Sequence, residues 1–419
     1  MKTGLARNAT QCHSSRMSLG NRKADTVPAE HQSHPSVVRL AAGGLVAMAV
    51  AMGLGRFVYT PLLPDLMQGL GLNPADAGFI ASANYVGYLL GAVLAAYGWA
   101  AGIERRVFVG GLVATTVLLA AIPLVDGVLA LAAIRFAAGI ASAFSMIFVS
   151  TIIFSHFDVA GRHDLQAVHF SGVGIGMIIS AILLMILLRA DAHWPVGWYA
   201  SALLAAAGAL VATVLVRADP AHSANGRKEP PLVWDRPLLL ISAAYGLFGI
   251  GYIVTATFLV AIVRGGAGQS PLEGWVWMAT GIAATFSLVL WAPFRRHFSL
   301  FAAFSAGCVV EAAGVAASVL VPLPIGPFVG GALLGATFIA ITAYGLQAGR
   351  LLAGRSPRRA LAIMTACFGT GQIIGPIVAG YLAEISGTYT SGSLVAAAAL
   401  ILAAVLAAMA ATHAQGTQL

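Results

Sequence analysis

Acidic side chains are scarce in this sequence. Asp and Glu number 15 among 419 residues against 23 Lys and Arg, and charged residues of either sign make up only 9%. A soluble domain carries about 25% charged residues, so no water-facing surface can be built from this chain. Cysteine is scarcer still: Cys12, Cys308 and Cys367 offer neither a disulfide framework nor metal-ligand spacing and read as inert small residues. There is no Ser-His-Asp set, no HExxH and no carboxylate pair at membrane depth, which leaves an enzyme without chemistry and a metal or cofactor without ligands. The first 36 residues are polar and lack the apolar core of a cleavable signal peptide. They are expected to form a disordered cytoplasmic tail, with Met17 as a second possible start.

Apolar sequence fills what remains. Hydrophobic residues make up 59% of the chain, and mean hydropathy is +0.87. The apolar runs are about 20 residues long, enough to cross a hydrocarbon core as helices, and they show no period-two alternation of a lipid-facing barrel. Runs bounded by charge, Pro or Gly clusters fall near 37 to 64, 75 to 98, 107 to 125, 128 to 154, 168 to 188 and 195 to 216. Six more fall near 237 to 263, 273 to 294, 299 to 321, 325 to 349, 360 to 384 and 391 to 412. The chain is thus expected to be an all-α polytopic membrane protein of twelve transmembrane helices. Residues 37–216 and 237–412 form two sets of six, joined by the polar connector 217–236 and followed by a cytoplasmic tail, 413–419.

Basic residues orient the spans. With the N-terminus inside, 19 of the 23 Lys and Arg fall on the cytoplasmic side and only Arg189 and Arg264 outside, which places both termini in the cytoplasm under the positive-inside rule. Because the basic residues lie between spans, the net charge of +8 gives no nucleic-acid surface. His156, His163 and His169, in or near the connection between spans 4 and 5, read as solvated loop residues.

The last two basic residues, Arg56 and Arg135, lie inside spans. A charge near the bilayer centre costs at least about 2.5 kcal/mol and normally faces a protein interior or wet cavity. Asp65 stands nine residues beyond Arg56 and Asp126 nine residues before Arg135. Each arginine therefore sits roughly 13 Å below an outer marker, and the two guanidinium groups share a level on antiparallel spans, as an inverted repeat would give. A guanidinium fork suits a carboxylate or phosphate, so a central site for an anionic solute is expected; capping of helix carbonyls is the structural alternative. Helical spacing adds Tyr59 on the face of Arg56, Asn84 and Tyr88 with adjacent Tyr85 in span 2, and Tyr245 and Tyr252 in span 7. Thr337 and Tyr344 in span 10, and Thr365 and Gln372 in span 11, repeat the seven-residue spacing. Each of these alone is more often an interhelical hydrogen bond or interface anchor than a ligand contact, and their presence in both halves favours a shared polar cavity. Glu311 is the only acidic residue deep within a span, a candidate proton carrier or a paired glutamate at a helix contact. Gly87 and Gly91, Gly172 and Gly176, Gly331 and Gly335, and Gly371 and Gly375 fit close helix contacts.

The six-plus-six layout, together with "GLGRFVYTPLLPDL", "NYVGYLLGAVLA", "RFAAGIASAF" and "FGTGQIIGPIVAGYL", resembles the YbfB/YjiJ-type branch of the major facilitator superfamily from about residue 37 onward. The resemblance implies two pseudo-symmetric six-helix bundles around a cavity lined by spans 1, 4, 7 and 10, with alternating access by rocking. It also implies a peripheral span 9, which weakens the proton role of Glu311. The loop "YGWAAGIERR" keeps Glu104, Arg105 and Arg106 but lacks the Asp of the superfamily's gate latch. The expected function is a secondary, proton-coupled carrier of a small organic solute such as an organic acid, acting as a monomer in the plasma or bacterial inner membrane. Its partners are lipid, the solute and protons, with no cofactor. Efflux of lipophilic or cationic compounds, and a channel or sensor, stand as alternatives.

Overall fold

A computed structural model describes residues 36–221 and 229–416. The expected tail 1–36, with Cys12 and Met17, falls outside the described residues apart from Ser36, as does the middle of the connector. Twelve helices are long and apolar enough to cross a membrane. We number them α1 (Val37–Leu70), α2 (Pro74–Ala96), α3 (Glu104–Leu124), α4 (Val128–Ala160), α5 (Leu165–Arg189), α6 (Trp194–Leu215), α7 (Arg236–Ala267), α8 (Leu272–His297), α9 (Leu300–Leu320), α10 (Ile325–Leu352), α11 (Pro357–Ser386) and α12 (Thr390–Gly416). The odd helices run from the face that carries the start of α1 and the connector, here the terminal face, to the opposite, distal face.

Turn chemistry sets the ends. Gly71, at φ 65°, closes α1 in the left-handed conformation, and Asn73 and Asp76 form a reciprocal capping box that starts α2. Asp235 caps α7 by accepting from Leu238 N. Glu229 on the connector accepts from the first backbone N–H groups of α11, at Arg358 and Arg359. Arg105, from the loop with the incomplete latch sequence, donates to the Val216 and Thr213 carbonyls at the end of α6. In this structure it thus closes a helix end within the first six helices.

Several helices outrun their sequence boundaries. The first passes through a π-helix at Ala49–Phe57 and resumes α-helical pitch from Tyr59 through Pro64 to Leu70, the proline removing one backbone bond without ending the helix. The fourth continues to Ala160, which draws His169 into the bundle: it is buried, bonds Ser150 Oγ at 2.9 Å and packs between Phe154 and Phe170. The reading of His169 as a solvated loop residue is therefore corrected, whereas His163 is exposed beside Asp158. Arg189 and Arg264, read as loop residues, close α5 and lie inside α7. Residues 413–416, read as tail, continue α12.

Small residues set the helix crossings. A Cβ on Gly87 would strike the Phe136 carbonyl, and one on Gly176 would strike Gly53, so α2 meets α4 and α1 meets α5 backbone to backbone. The two sets of six helices join through α1 with α7, α2 with α11, and α5 with α8. Among the described residues, hydrogen bonds between the two sets run from Thr60 to the Ala256 carbonyl, Ser82 to the Ile373 carbonyl, Tyr85 to Thr257, Trp277 to Ser180 and Arg264 to Asp65. All lie between mid-height and the distal face. The protein is therefore held shut on the distal side, with no such bond on the terminal side among the described residues.

Candidate functional site

The site is built around the π-helical turn that carries Arg56. A π-turn leaves the ordinary i to i−4 ladder and frees carbonyls, and Arg135 on α4 takes up two of them. Its Nη1 donates to Gly55 O and its Nη2 to Arg56 O, each at 3.2 Å. The two arginines thus stand at one level, as their spacing predicts. Arg135 is 2% exposed, its guanidinium lies 4.8 Å from the Tyr59 ring centroid, and its own carbonyl accepts from Asn84 Nδ2 at 2.8 Å. Tyr59 donates to the Ala77 carbonyl. Arg135, Asn84 and Tyr59 therefore form one joint between α1, α2 and α4.

Arg56 has different company. Its guanidinium carbon lies 4.6 Å from the Tyr85 ring centroid and 4.5 Å from that of Tyr88, a cation–π clamp from one turn of α2. Tyr85 is anchored through Thr257 and Tyr88 through Met146. Arg56 is 3% exposed, yet its Nε and Nη2 are buried without any hydrogen-bond partner. Those two atoms form one edge of the guanidinium, the edge that binds a carboxylate or phosphate side-on through two parallel bonds. A buried charged donor left unpartnered is costly, and no other group of the protein among the described residues satisfies this edge.

The last six helices contribute an aromatic ladder. Tyr245, Phe368, Tyr252 and Phe338 follow one another at centroid spacings of 4.8, 5.5 and 5.9 Å, with interplanar angles of 17°, 1° and 2°. Phe248 stacks against its side, and Phe57, next to Arg56 in the chain, meets Phe338 edge-on at 5.8 Å. The Gln372 amide bonds the Tyr252 hydroxyl, while the other atom of the amide is buried and unpartnered.

The sequence-predicted residues thus separate into groups. Arg56, Tyr85, Tyr252 and Gln372 belong to the clamp and ladder. Arg135, Asn84 and Tyr59 support the clamp through backbone and ring contacts. Tyr245 ends the ladder, with its hydroxyl on the Thr342 carbonyl, and Tyr344 lies further along α10, past Thr342 toward the terminal face. Thr337 turns away to Glu311, whose Oε2 lies 3.0 Å from its hydroxyl, so Glu311 is buried between α9 and α10. Phe57, Phe248, Phe338 and Phe368 were not selectable from sequence, since phenylalanine in an apolar span carries no signal of its own. A second ion group was missed as well. Arg264 holds Glu273 through two bonds of 2.6 and 2.8 Å and Asp65, across the two sets of helices, at 2.8 Å. Asp65 appears in sequence only as a depth marker.

Twelve spanning-length helices in two sets of six, joined around a central buried charge, define a transporter of the major facilitator fold. The chain belongs to the family described as the uncharacterised MFS-type transporter YbfB, which matches residues 48–408. It is a multi-pass membrane protein. Solved structures share the fold at low identity. A point mutant of the nucleoside transporter NupG is 15% identical with TM-score 0.71, covering 88% of this chain and 99% of its own. The POT family transporter PepTSo is 13% identical with TM-score 0.68, covering 91% and 99%. A bacterial homologue of the human lysosomal transporter Spinster, inward-facing and unoccupied, is 14% identical with TM-score 0.67, covering 90% and 97%. No curated protein matches the chain.

Proposed function

We propose that this transporter carries a small organic anion by alternating access, with Arg56 as the group that receives the anionic end. The open Nε and Nη2 edge of Arg56, buried and clamped by Tyr85 and Tyr88, is the observation that carries this reading. A lipophilic cation would be repelled there, and no carboxylate among the described residues pairs with that edge to relieve the repulsion. The distal face is shut through Arg264 and Asp65, which fits a state that loads from the terminal face. The distribution of basic residues supports a cytoplasmic terminal face, in a plasma or bacterial inner membrane. Proton coupling belongs to the same reading through Glu311, a buried carboxyl whose hydrogen-bond partner, Thr337, sits on a cavity-lining helix.

Purified protein screened by thermal shift against small carboxylates tests the anion site, because a ligand of the folded state raises apparent stability by mass action. Carboxylates should stabilise the native protein and fail to stabilise Arg56→Gln. NupG is a nucleoside transporter, and the aromatic ladder suits a nucleobase, so a nucleoside is the second reading. Stabilisation by neutral nucleosides that survives Arg56→Gln would favour it and sink the anion carrier.

A further inference from the structure

We infer that the substrate is an aromatic monocarboxylate with a hydroxyl or similar polar group on its ring, held at three points. This rests on the anion reading above and names its chemistry. The first point is the side-on edge of Arg56, whose two adjacent unpartnered donors match the two oxygens of one carboxylate. The second is the ladder. Tyr252 is parallel to both Phe338 and Phe368 within 2°, and Phe368, which stacks on Tyr245, Phe248 and Tyr252, is half-buried where Phe248 and Tyr252 are buried, so it is the member of the array with surface left for a ligand. A flat ring joins such an array by offset stacking, whereas a puckered ring of the same size presents axial hydrogens to it. The third is Gln372, on the same helix as Phe368 and one turn further along. Its amide spends one end on Tyr252 and buries the other without a partner. A hydroxyl can donate or accept, so it satisfies that atom whichever way the amide is turned.

Three such contacts exclude other solutes. A short aliphatic acid would meet Arg56 and leave both the ladder and Gln372 unused. A dicarboxylate would bring its second charge against aromatic rings with no second side-on guanidinium edge open, since Arg135 spends Nη1 and Nη2 on backbone carbonyls and leaves only Nε unpartnered.

Isothermal titration of the full-length protein in lipid nanodiscs with para-hydroxybenzoate, benzoate, cyclohexanecarboxylate, propanoate and para-hydroxybenzamide separates the points. Para-hydroxybenzoate should bind tightest. Loss of the ring's flatness should cost about three- to tenfold, the scale of one aromatic stack. Loss of the hydroxyl should cost a similar factor in native protein and nothing in Gln372→Leu, and Phe368→Leu should erase the preference for benzoate over cyclohexanecarboxylate. Loss of the carboxylate in the benzamide should cost at least about tenfold, as a charge-assisted bond requires. Equal binding of benzoate, cyclohexanecarboxylate and propanoate, with Arg56→Gln abolishing all three, would overturn the aromatic assignment and leave the anion carrier standing. Equal binding of acid and amide, unchanged in Arg56→Gln, would overturn both. A preference for benzoate that Phe368→Leu leaves intact in a folded, Arg56-dependent protein would overturn the role of the ladder.

Discussion

The Arg135 guanidinium donates to the main-chain carbonyl of Arg56 at 3.2 Å. The pair matched in depth by sequence therefore does not act as two equivalent charges. One arginine holds the backbone of the other: Arg135 leaves only Nε unpartnered, whereas Arg56 leaves both donors of its Nε and Nη2 edge.

Arg135→Gln removes two charge-assisted bonds to Gly55 and Arg56 and is expected to lower stability by about 3 kcal/mol. Arg135→Lys should recover only part of this, because an ammonium lacks the planar fork that reaches both carbonyls. Thermal unfolding of the three proteins checks the order. Unchanged unfolding in Arg135→Gln would show that the bonds carry no net stability.

Arg264→Gln should release the distal face. The Asp65 contact crosses between the two sets of helices, and its loss is expected to favour opening by roughly tenfold, about 1.4 kcal/mol. Spin labels at Gln68 and Gly265, on the two helices that meet there, should report a longer population in Arg264→Gln. Asp65→Asn should show the same shift, since the Glu273 bonds remain within the second set of helices. An unchanged distance distribution would remove Arg264 from the closure.

The recognition of Arg56 from sequence and the misreading of its neighbour have one physical cause. A charge in an apolar run is visible in any conformation because its transfer cost does not depend on pitch. What it faces does depend on pitch. Tyr59, three residues on, shares a face with Arg56 only in a regular α-helix, and the π-turn sends Tyr59 to Arg135 and Arg56 to Tyr85 and Tyr88. The twelve helices were legible because length and hydropathy decide them. The ladder was not, because its members come from α7, α10 and α11, and only packing brings them into line.

Glu311→Gln keeps the size of the side chain and a hydrogen bond to Thr337 but cannot exchange a proton. Accumulation driven by an imposed pH gradient should be lost in proteoliposomes, while counterflow of labelled substrate, which needs no net proton movement, should persist. Loss of both would make Glu311 a packing residue, and retention of both would exclude it from coupling.

Gly87→Leu should prevent the α2–α4 crossing, because its Cβ would meet a backbone carbonyl that has no rotamer to escape into. With that crossing displaced, Tyr85 and Tyr88 move off Arg56. Yield of folded protein by size-exclusion chromatography is expected to collapse, whereas Gly110→Leu, where a side chain meets open space, should leave it intact.

The π-turn at Ala49–Phe57 also makes α1 a helix of divided allegiance. Its first segment packs on α4, α5 and α6, and its last, from Tyr59 to Leu70, packs chiefly on α7 of the other set. Deleting one residue within the turn would rotate everything beyond it by about 100°, carrying Thr60 and Asp65 away from Ala256 and Arg264. Chain length through this turn thus sets the phase between the open edge of Arg56 and the distal closure, so that length, rather than the identity of any side chain, keeps the two in step.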